Sequence, residues 1–180
     1  MRVVGITDFG GPEALRVYDV AAPHAGPGEV RINVRCAAVN PTDTYTRNGS
    51  RSGVPHVDSP HVPGMDVAGV VDEVGPGVTT VAVGDDVMAI VVPKEGYGGY
   101  SEYLVVPQRS VVRVPAGRTY AEACTIPMNA LTARLSLDLL ALRPGVTIYP
   151  GGGAWTQTTN GLRPEHNVYL LDGRSEERRV

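Results

Sequence analysis

The clearest pattern in the chain is a strict alternation of apolar and polar residues that begins at Glu29. Four apolar residues share one face and three polar residues share the other: Val30, Ile32, Val34 and Cys36 against Arg31, Asn33 and Arg35. An alternation with a period of two predicts a half-buried β-strand. This strand, predicted over residues 29–39, leads directly into a short polar segment that begins at Asn40.

Similar short runs predict six or seven strands before residue 115. The predicted strands cover residues 2–7, 15–20, 29–39, 67–74, 87–92, 100–106 and 111–114. Glycine and proline turns separate them, and the first two flank the turn Gly10-Gly11-Pro12-Glu13, which predicts a hairpin. Many short strands with such turns are typical of a β-barrel or a β-sandwich.

The polar segment from Asn40 to Gly49 is predicted to be a short helix. Asn40 is a favourable N-cap residue, and Pro41 suits the first helical position because its missing N–H has no helical partner there. Gly49 is expected to end the helix. Asp43 and Arg47 lie four residues apart, so we expect an ion pair on the helix surface, which would contribute about 0.3–0.5 kcal/mol.

The pattern changes to a helical one at Thr119. Thr119 and Glu122 have the spacing of a capping box, which predicts a short helix that ends at Pro127. A longer helix is predicted over residues 128–142, where leucines recur at helical spacing, and Pro144-Gly145 should stop it. The leucines are Leu131, Leu135, Leu139 and Leu142.

These patterns divide the chain into three parts. Residues 1–118 are predicted to form a mainly β domain, and residues 119–145 a helical connector. Residues 146–180 begin with a possible strand at 146–149, but the rest lacks a helical period and ends in a cluster of charges. We expect this last part to be partly disordered.

Composition and charge exclude several classes of protein. The chain has 180 residues, is 42% hydrophobic and carries a net charge of −3. Its charges are well mixed, which does not favour binding to nucleic acid or to an anionic membrane. No apolar run reaches the ~18 residues of a membrane span, and the N-terminus lacks the apolar core of a signal peptide, so we expect a cytoplasmic protein.

Cysteine and histidine positions do not indicate a metal site. The two cysteines, Cys36 and Cys124, are far apart and are interpreted as small buried hydrophobes. His56, Asp58 and His61 share the long loop predicted over residues 50–64, but no rigid element fixes their spacing. We therefore expect them to be solvated loop residues.

Five blocks of sequence carry a resemblance to a known family. They are Ala38-Val39-Asn40-Pro41-Thr42-Asp43-Thr44-Tyr45 with Arg47 and Gly49, then Pro63-Gly64-Met65-Asp66-Val67-Ala68-Gly69-Val70-Val71, Glu73-Val74-Gly75, Val83-Gly84-Asp85-Asp86-Val87 and Gly98-Gly99-Tyr100-Ser101-Glu102-Tyr103. In these blocks the chain resembles the N-terminal domain of the zinc-independent medium-chain dehydrogenase/reductases, especially NADPH:quinone oxidoreductases of the zeta-crystallin type. The resemblance implies a GroES-like β-barrel with short helices over residues 1–118.

The resemblance also bears on zinc. The zinc alcohol dehydrogenases of the same superfamily have a cysteine at the position of Asn40 and Gly-His-Glu at the position of Gly64-Met65-Asp66. A carboxamide and a thioether bind zinc poorly compared with a thiolate and an imidazole. We therefore expect no metal at this position.

Further implications concern the reaction. The resemblance implies hydride transfer from NADPH to a quinone or an α,β-unsaturated carbonyl compound, with Asn40, Asp43 and Tyr45 bordering the cleft. Tyr45 would contact the cofactor and could donate a hydrogen bond to the acceptor oxygen. Thr132 would lie near the nicotinamide, although Arg134 stands where the family usually has an aromatic residue. The alternative is that Asp43 only pairs with Arg47 and Tyr45 only packs.

The nucleotide-binding half of the family is not apparent in the chain. Gly151-Gly152-Gly153 follows the predicted strand at 146–149, but the next residues do not read as the helix of a Rossmann dinucleotide site. Residues 146–180 are expected to be a vestigial start of that truncated domain or an aberrant tail, such as one read in a shifted frame. An enzyme made of this chain alone is expected to be weakly active or inactive.

Two other functions remain open. The chain could be a non-catalytic GroES-like module that binds a missing Rossmann half or a second copy of itself. Solvent-facing Leu131, Leu135 and Leu139 would then favour self-association. A co-chaperonin role would rest on the shared fold alone.

Overall fold

The structure is a computed structural model that describes residues 1–50, 59–92 and 97–141, together with four short strands after residue 145. The chain divides into two units, Met1–Ala130 and Leu131–Val180. Each unit is described by itself. The boundaries predicted at residues 118 and 145 remain predictions.

The first unit begins with the predicted hairpin. Strand β1 (Arg2–Gly5) pairs antiparallel with β2 (Arg16–Asp19), so that Val3 lies opposite Tyr18. A 3-10 helix at Pro12–Ala14 forms part of the connection. The alternating pattern on either side of the Gly-Gly-Pro turn therefore predicted this element correctly.

A five-stranded antiparallel sheet forms the centre of the first unit. Its strands are β3 (Glu29–Ala37), β4 (Asp66–Val74), β5 (Asp86–Ile90), β6 (Tyr103–Pro107) and β7 (Val111–Arg113), in the order β6-β3-β4-β5-β7. A 3-10 helix at Gln108–Ser110 joins β6 to β7. The mainly β fold class is confirmed, although β6 begins at Tyr103 and not at Tyr100, because Ser101 forms only an isolated bridge with Val3.

The apolar faces of these strands make one hydrophobic core. Alternate residues of β3, such as Val30 and Ile32, are fully buried, and they pack with residues of every other strand in the sheet. The buried core residues are Val30, Ile32, Val67, Val71, Val81, Val87, Ala89, Val91, Leu104, Val106 and Val111. The period-two pattern of the sequence thus corresponds to burial of one face.

The opposite face of β3 is polar. Arg31 donates from Nη2 to Asp72 Oδ2 at 2.9 Å and forms an ion pair with Glu73 at 2.6 Å, while its guanidinium lies over the ring of Tyr103.

The pairing of β3 with β4 shifts register twice, between Arg31 and Ile32 and again between Val34 and Cys36. Such bulges bend a strand and increase its twist, which curves this sheet.

Three helices follow the sequence signals closely. Helix α1 spans Pro41–Asn48, α2 spans Tyr120–Ala123 and α3 spans Pro127–Ala141. The capping box at α2 is confirmed, since Glu122 N donates to Thr119 Oγ1 and Thr119 N donates to the Glu122 carboxylate. Pro127 is the first residue of α3 and not the end of α2, because a proline is well tolerated where no helical N–H partner exists.

The second unit contains two short antiparallel ladders after the end of α3. Strand β8 (Val146–Ile148) pairs with β9 (Gln157–Thr159), and β10 (Leu170–Leu171) pairs with β11 (Arg174–Ser175). The strand predicted at 146–149 is therefore present over three of its residues. The predicted stop signal Pro144-Gly145, Leu142 and the glycines 151–153 lie outside the described residues.

The helices are too short or too polar to cross a lipid bilayer. This finding covers the part of the chain that the structure describes.

A close backbone contact at the end of β4 requires a glycine. A Cβ atom added to Gly75 would lie 1.7 Å from the carbonyl oxygen of Gly26, whereas a Cβ added to Gly26 would meet only the Glu29 carboxylate at 3.0 Å. Gly75 N also donates to Glu29 O at 2.9 Å. The two segments are therefore held too close for any side chain on Gly75.

We predict that Gly75→Ala lowers the free energy of unfolding by about 3 kcal/mol, at the upper end of overpacking costs, because the backbone of Gly26 must move. Gly26→Ala is the matched control and should cost only about 1 kcal/mol, because the backbone stays in place and only the Glu29 carboxylate, with its hydrogen bond from the Gly26 N–H, must move. Chemical denaturation of the three proteins measures both values. Equal losses in the two variants would contradict the prediction.

Candidate functional site

Helix α1 forms as the sequence predicts. Asn40 is the N-cap with an extended backbone, Pro41 opens the helix, and the Asp43 carboxylate accepts from the main-chain N–H of Asn40. Gly49 ends the helix in the left-handed region at φ 78°, a conformation that glycine adopts without strain. Asp43 and Thr46 are buried on one side of the helix, while Tyr45 is 53% exposed.

The Asp43 carboxylate joins three segments of the chain. Its Oδ2 accepts from the main-chain N–H of Asn40 at 2.8 Å and from the Tyr100 hydroxyl at 3.3 Å. Its Oδ1 accepts from the main-chain N–H of Gly64 at 2.9 Å. Asp43 is only 5% exposed, so these donors replace water around the carboxylate.

Tyr100 donates to this carboxylate from a partly buried position. Burial, and then the neighbouring charge of Asp43, raise the pKa of the Tyr100 phenol well above its usual range. The phenol therefore stays protonated and remains a donor throughout the physiological pH range.

The expected ion pair between Asp43 and Arg47 is wrong. Asp43 turns inward to the amides of Asn40 and Gly64, so its carboxylate is not available on the helix surface. Within the described residues no ion pair joins the two side chains, and the buried Nε of Arg47 has no hydrogen-bond partner. Interaction of a carboxylate with buried main-chain donors outweighs an exposed i,i+4 pair, which contributes only a few tenths of a kcal/mol.

A second buried carboxylate lies on the other side of Asn40. Asp66, at the start of β4, is 1% exposed, and its Oδ2 accepts from Asn40 Nδ2 at 2.8 Å. Its Oδ1 accepts from the main-chain N–H of Met128, in the first turn of α3, also at 2.8 Å. Burial is the largest influence on Asp66 and raises the pKa of its carboxyl group above the usual value.

Asn40 also lines a cavity of about 420 Å³. The wall combines apolar side chains, contributed by the end of β3, the two residues after it and α2, with polar side chains from Asn40 and the residues that follow α2. The lining residues are Cys36, Ala37, Ala38, Val39, Asn40, Ala121, Cys124, Thr125 and Asn129. This space, called the Asn40 cavity below, combines a hydrophobic wall with a few polar groups, as is usual for small-molecule sites.

The two cysteines meet beside the Asn40 cavity. Cys124 is 4% exposed and packs in one cluster with Ala68 and Ala123, while Cys36 is half-buried against the same cluster. Burial raises the pKa of the Cys124 thiol. The interpretation of Cys124 as a small buried hydrophobe is therefore confirmed.

The predicted site residues are only partly brought together. Asn40 and Asp43 are directly hydrogen-bonded, but neither Tyr45 nor Thr132 belongs to the described wall of the Asn40 cavity. Thr132 is exposed on α3 in the second unit, and Arg134 on the same helix pairs with Asp138 at 2.9 Å. The catalytic roles of Asn40, Asp43 and Tyr45 and the cofactor contacts of Tyr45 and Thr132 remain predictions.

Metal-ligating side chains do not gather in the described residues. No group of three or more His, Cys, Asp or Glu side chains could hold a metal ion there. His56 and Asp58 lie outside these residues, whereas the partly buried His61 has a pKa lowered by burial. The expectation of a zinc-free site remains a prediction.

Comparison with known proteins identifies the family. Residues 26–116, just over half of the chain, match the alcohol dehydrogenase GroES-like domain. The chain therefore belongs to this family, and the predicted GroES-like fold is confirmed.

Quinone oxidoreductases are among the relatives that the chain resembles. The chain is 36% identical to the quinone oxidoreductase of Lama guanicoe, and the alignment covers 76% of this chain and 40% of that protein. It is 33% identical to the quinone oxidoreductase of Rattus norvegicus, where the alignment covers 95% of this chain and 52% of that protein. A solved NAD-dependent alcohol dehydrogenase shares 36% identity at a TM-score of 0.71, over 81% of this chain and 49% of that one. A solved mycobacterial protein complexed with NADPH shares 33% identity at a TM-score of 0.68, and the match covers 80% of this chain and 42% of that one.

The chain thus resembles the N-terminal part of the medium-chain quinone oxidoreductases. It spans about half or less of the length of the curated relatives that it matches. The rat alignment covers 95% of the chain and therefore extends past residue 145.

Two participants in the site were not assigned from the sequence. In the sequence Asp66 stands at the position of a zinc-enzyme glutamate and Tyr100 in a predicted strand, and both lie in blocks that carry the family resemblance, but neither is predicted to be a site residue. A charged residue directly before the apolar run 67–71 was the available signal for Asp66, since a buried charge needs hydrogen-bond donors. Tyr100 carried no comparable signal, because its partner is 57 residues away.

We predict that Asp43→Asn lowers the free energy of unfolding by about 2–3 kcal/mol, because a carboxamide cannot accept from Asn40 N–H and Gly64 N–H with both of its ends. Asp19→Asn, on the exposed face of β2, is the control and should change it by less than about 0.5 kcal/mol. Urea denaturation of each variant provides the measurement. A loss at Asp43 no larger than that at Asp19 would show that the three-segment contact contributes little.

Proposed function

We propose that this chain forms the acceptor-binding side of an NADPH-dependent oxidoreductase that reduces quinones or α,β-unsaturated carbonyl compounds. The Asn40 cavity is the proposed acceptor site. The observation that carries the proposal is the Asn40 carboxamide itself, which lines the cavity and has one of its two N–H groups held by Asp66. The family and the names of the relatives support the same reaction class.

The remaining N–H of Asn40 supplies the proposed chemistry. Negative charge develops on the carbonyl oxygen when an enone or a quinone accepts a hydride, and a fixed donor at that oxygen stabilises it. Ala37 and Ala38, which are partly buried, give the donor an apolar neighbourhood on this side of the cavity. In this proposal Asp43 acts through Asn40, whose main-chain N–H it holds at 2.8 Å.

The cofactor contacts belong to the proposal as well. Tyr45 would contact NADPH and could donate to the acceptor oxygen, and Thr132 would lie near the nicotinamide. The described residues after α3 do not fit a pyrophosphate site, because β8 pairs antiparallel with β9, whereas a dinucleotide turn leads from a parallel strand into a helix. We therefore propose that NADPH is held mainly by groups other than these residues.

Catalysis without zinc follows from the ligand chemistry. Asn40 presents a carboxamide and Met65 a thioether, which bind zinc more weakly than a thiolate and an imidazole. A cytoplasmic location is part of the same proposal.

A second candidate function is a binding module that associates with itself or with a Rossmann-type partner. The observation that favours it is the exposure of two α3 leucines, since Leu131 is 39% and Leu135 is 58% exposed. The predicted third position, Leu139, lies outside the side chains that the structure describes. Exposed leucines at helical spacing are typical of an interface.

We predict that Asn40→Ala weakens binding of 2-cyclohexen-1-one about five- to tenfold, because one neutral hydrogen bond contributes about 1 kcal/mol. Asn48→Ala, at the exposed end of α1 and outside the cavity wall, is the control and should bind as the unmodified chain does. NMR titration of each protein measures the affinity, and circular dichroism verifies folding. Unchanged binding by Asn40→Ala would overturn the proposed carbonyl site.

We further predict that the second candidate function is distinguishable by two measurements. Self-association through the exposed leucines should give a concentration-dependent sedimentation coefficient that Leu135→Gln reduces to the monomer value. Thr132→Ser is the control on the same helix. A strictly monomeric sedimentation profile for the unmodified chain counts against self-association. The second measurement is calorimetry with NADPH at millimolar concentration, where binding supports the oxidoreductase and not the binding module.

A further inference from the structure

We infer that Asp66 is a positioning residue that fixes the direction of the Asn40 carboxamide and links it to the first turn of α3. The inference rests on the proposed function, because it assigns a purpose to the direction of Asn40. Its first support is the cost of the arrangement. Asp66 is 1% exposed, and no cation pairs with it among the described residues, so its burial is unfavourable unless hydrogen bonds compensate.

Both oxygens of Asp66 are used by donors from different elements. Asn40 Nδ2 belongs to the residue before α1, and the Met128 N–H belongs to the first turn of α3, 62 positions after Asp66. The N–H groups of a first helical turn have no partner within the helix. Asp66, at the start of β4, therefore accepts a hydrogen bond from the first turn of α3 and at the same time one from the Asn40 side chain.

The carboxylate determines which end of Asn40 faces β4. A carboxylate only accepts hydrogen bonds, whereas a carboxamide has a donor end and an acceptor end. The nitrogen of Asn40 must therefore face Asp66, and its oxygen must face away. This leaves one N–H of the same nitrogen for a ligand carbonyl in the proposed function.

Asp66 also connects two segments that contribute to the cavity. Asn40 lines the cavity, and so does Asn129, the residue after Met128. A single buried side chain thus holds the donor and the first turn of α3 in one place. Such fixed geometry is what a donor needs to act on a developing charge.

Replacement of Asp66 by asparagine tests the inference. An asparagine at this position can accept from Met128 N–H with its oxygen, but its nitrogen then faces Asn40 and forces that carboxamide to reverse. We expect Asp66→Asn to keep the unfolding midpoint within error and to bind 2-cyclohexen-1-one five- to tenfold more weakly, as Asn40→Ala does. Asp72→Asn, which faces Arg31 on the polar side of β4, should bind normally.

A spectroscopic readout in the ligand-free chain separates this inference from the proposed function. The side-chain amide resonances of Asn40 should shift as Asp66 titrates, above the usual pH range of an aspartate because burial raises its pKa. The other titratable groups that act on Asp66 or are affected by it are Asp43 in α1 and Cys124 after α2. The shift should therefore persist in Cys124→Ser and disappear in Asp66→Asn.

The outcomes are distinct. If Asp66→Asn binds the enone as well as the unmodified chain, or if the Asn40 resonances titrate identically in Asp66→Asn, the positioning role is wrong. If Asp66→Asn does not fold, the test relies on the pH titration of the unmodified chain and of Cys124→Ser. The inference is then wrong if the Asn40 side-chain amide resonances do not shift with pH in these two proteins. If Asn40→Ala binds normally while the Asn40 resonances follow Asp66, the proposed carbonyl site fails and the orientation of Asn40 by Asp66 stands.

Discussion

The arrangement of Asn40 between two buried carboxylates is the constraint on which the site depends. Asp43 holds the main chain of Asn40, and Asp66 holds its side chain. Each carboxylate has a further donor from a distant segment, Gly64 in one case and Met128 in the other. Because an uncompensated buried charge is very unfavourable, each carboxylate depends on its donors from both segments. The loop before β4, helix α1 and the start of α3 are therefore positioned as one group.

Local patterns in the sequence predicted the parts of the fold that local physics determines. The alternation around Ile32 predicted β3, the Asn40-Pro41 and Gly49 signals predicted both ends of α1, and the Thr119 and Glu122 spacing predicted the start of α2. Each of these features depends on residues within a few positions of one another. The general resemblance to a GroES-like domain was likewise carried by short continuous blocks and was confirmed.

The site was less predictable because its interactions join residues that are distant in the sequence. Asp43 was expected to pair with Arg47 four positions away, but its donors include Gly64 and Tyr100. The direction of a side chain on α1 depends on which segments pack against the helix, and spacing along the helix does not contain that information. Pro127 was misassigned for a related reason, since a proline either follows one helix or opens another, and the cap that decides between them comes from Asp66.

The dependence of α3 on Asp66 has a consequence for the order of folding. The Met128 N–H obtains its partner only after β4 has been placed in the sheet, and closing that loop of 62 positions costs chain entropy before any bond compensates. Contacts of such large sequence separation form slowly compared with local turns. During synthesis β4 leaves the ribosome before α3, so we expect the sheet that holds Asp66 to form before the first turn of α3 is capped.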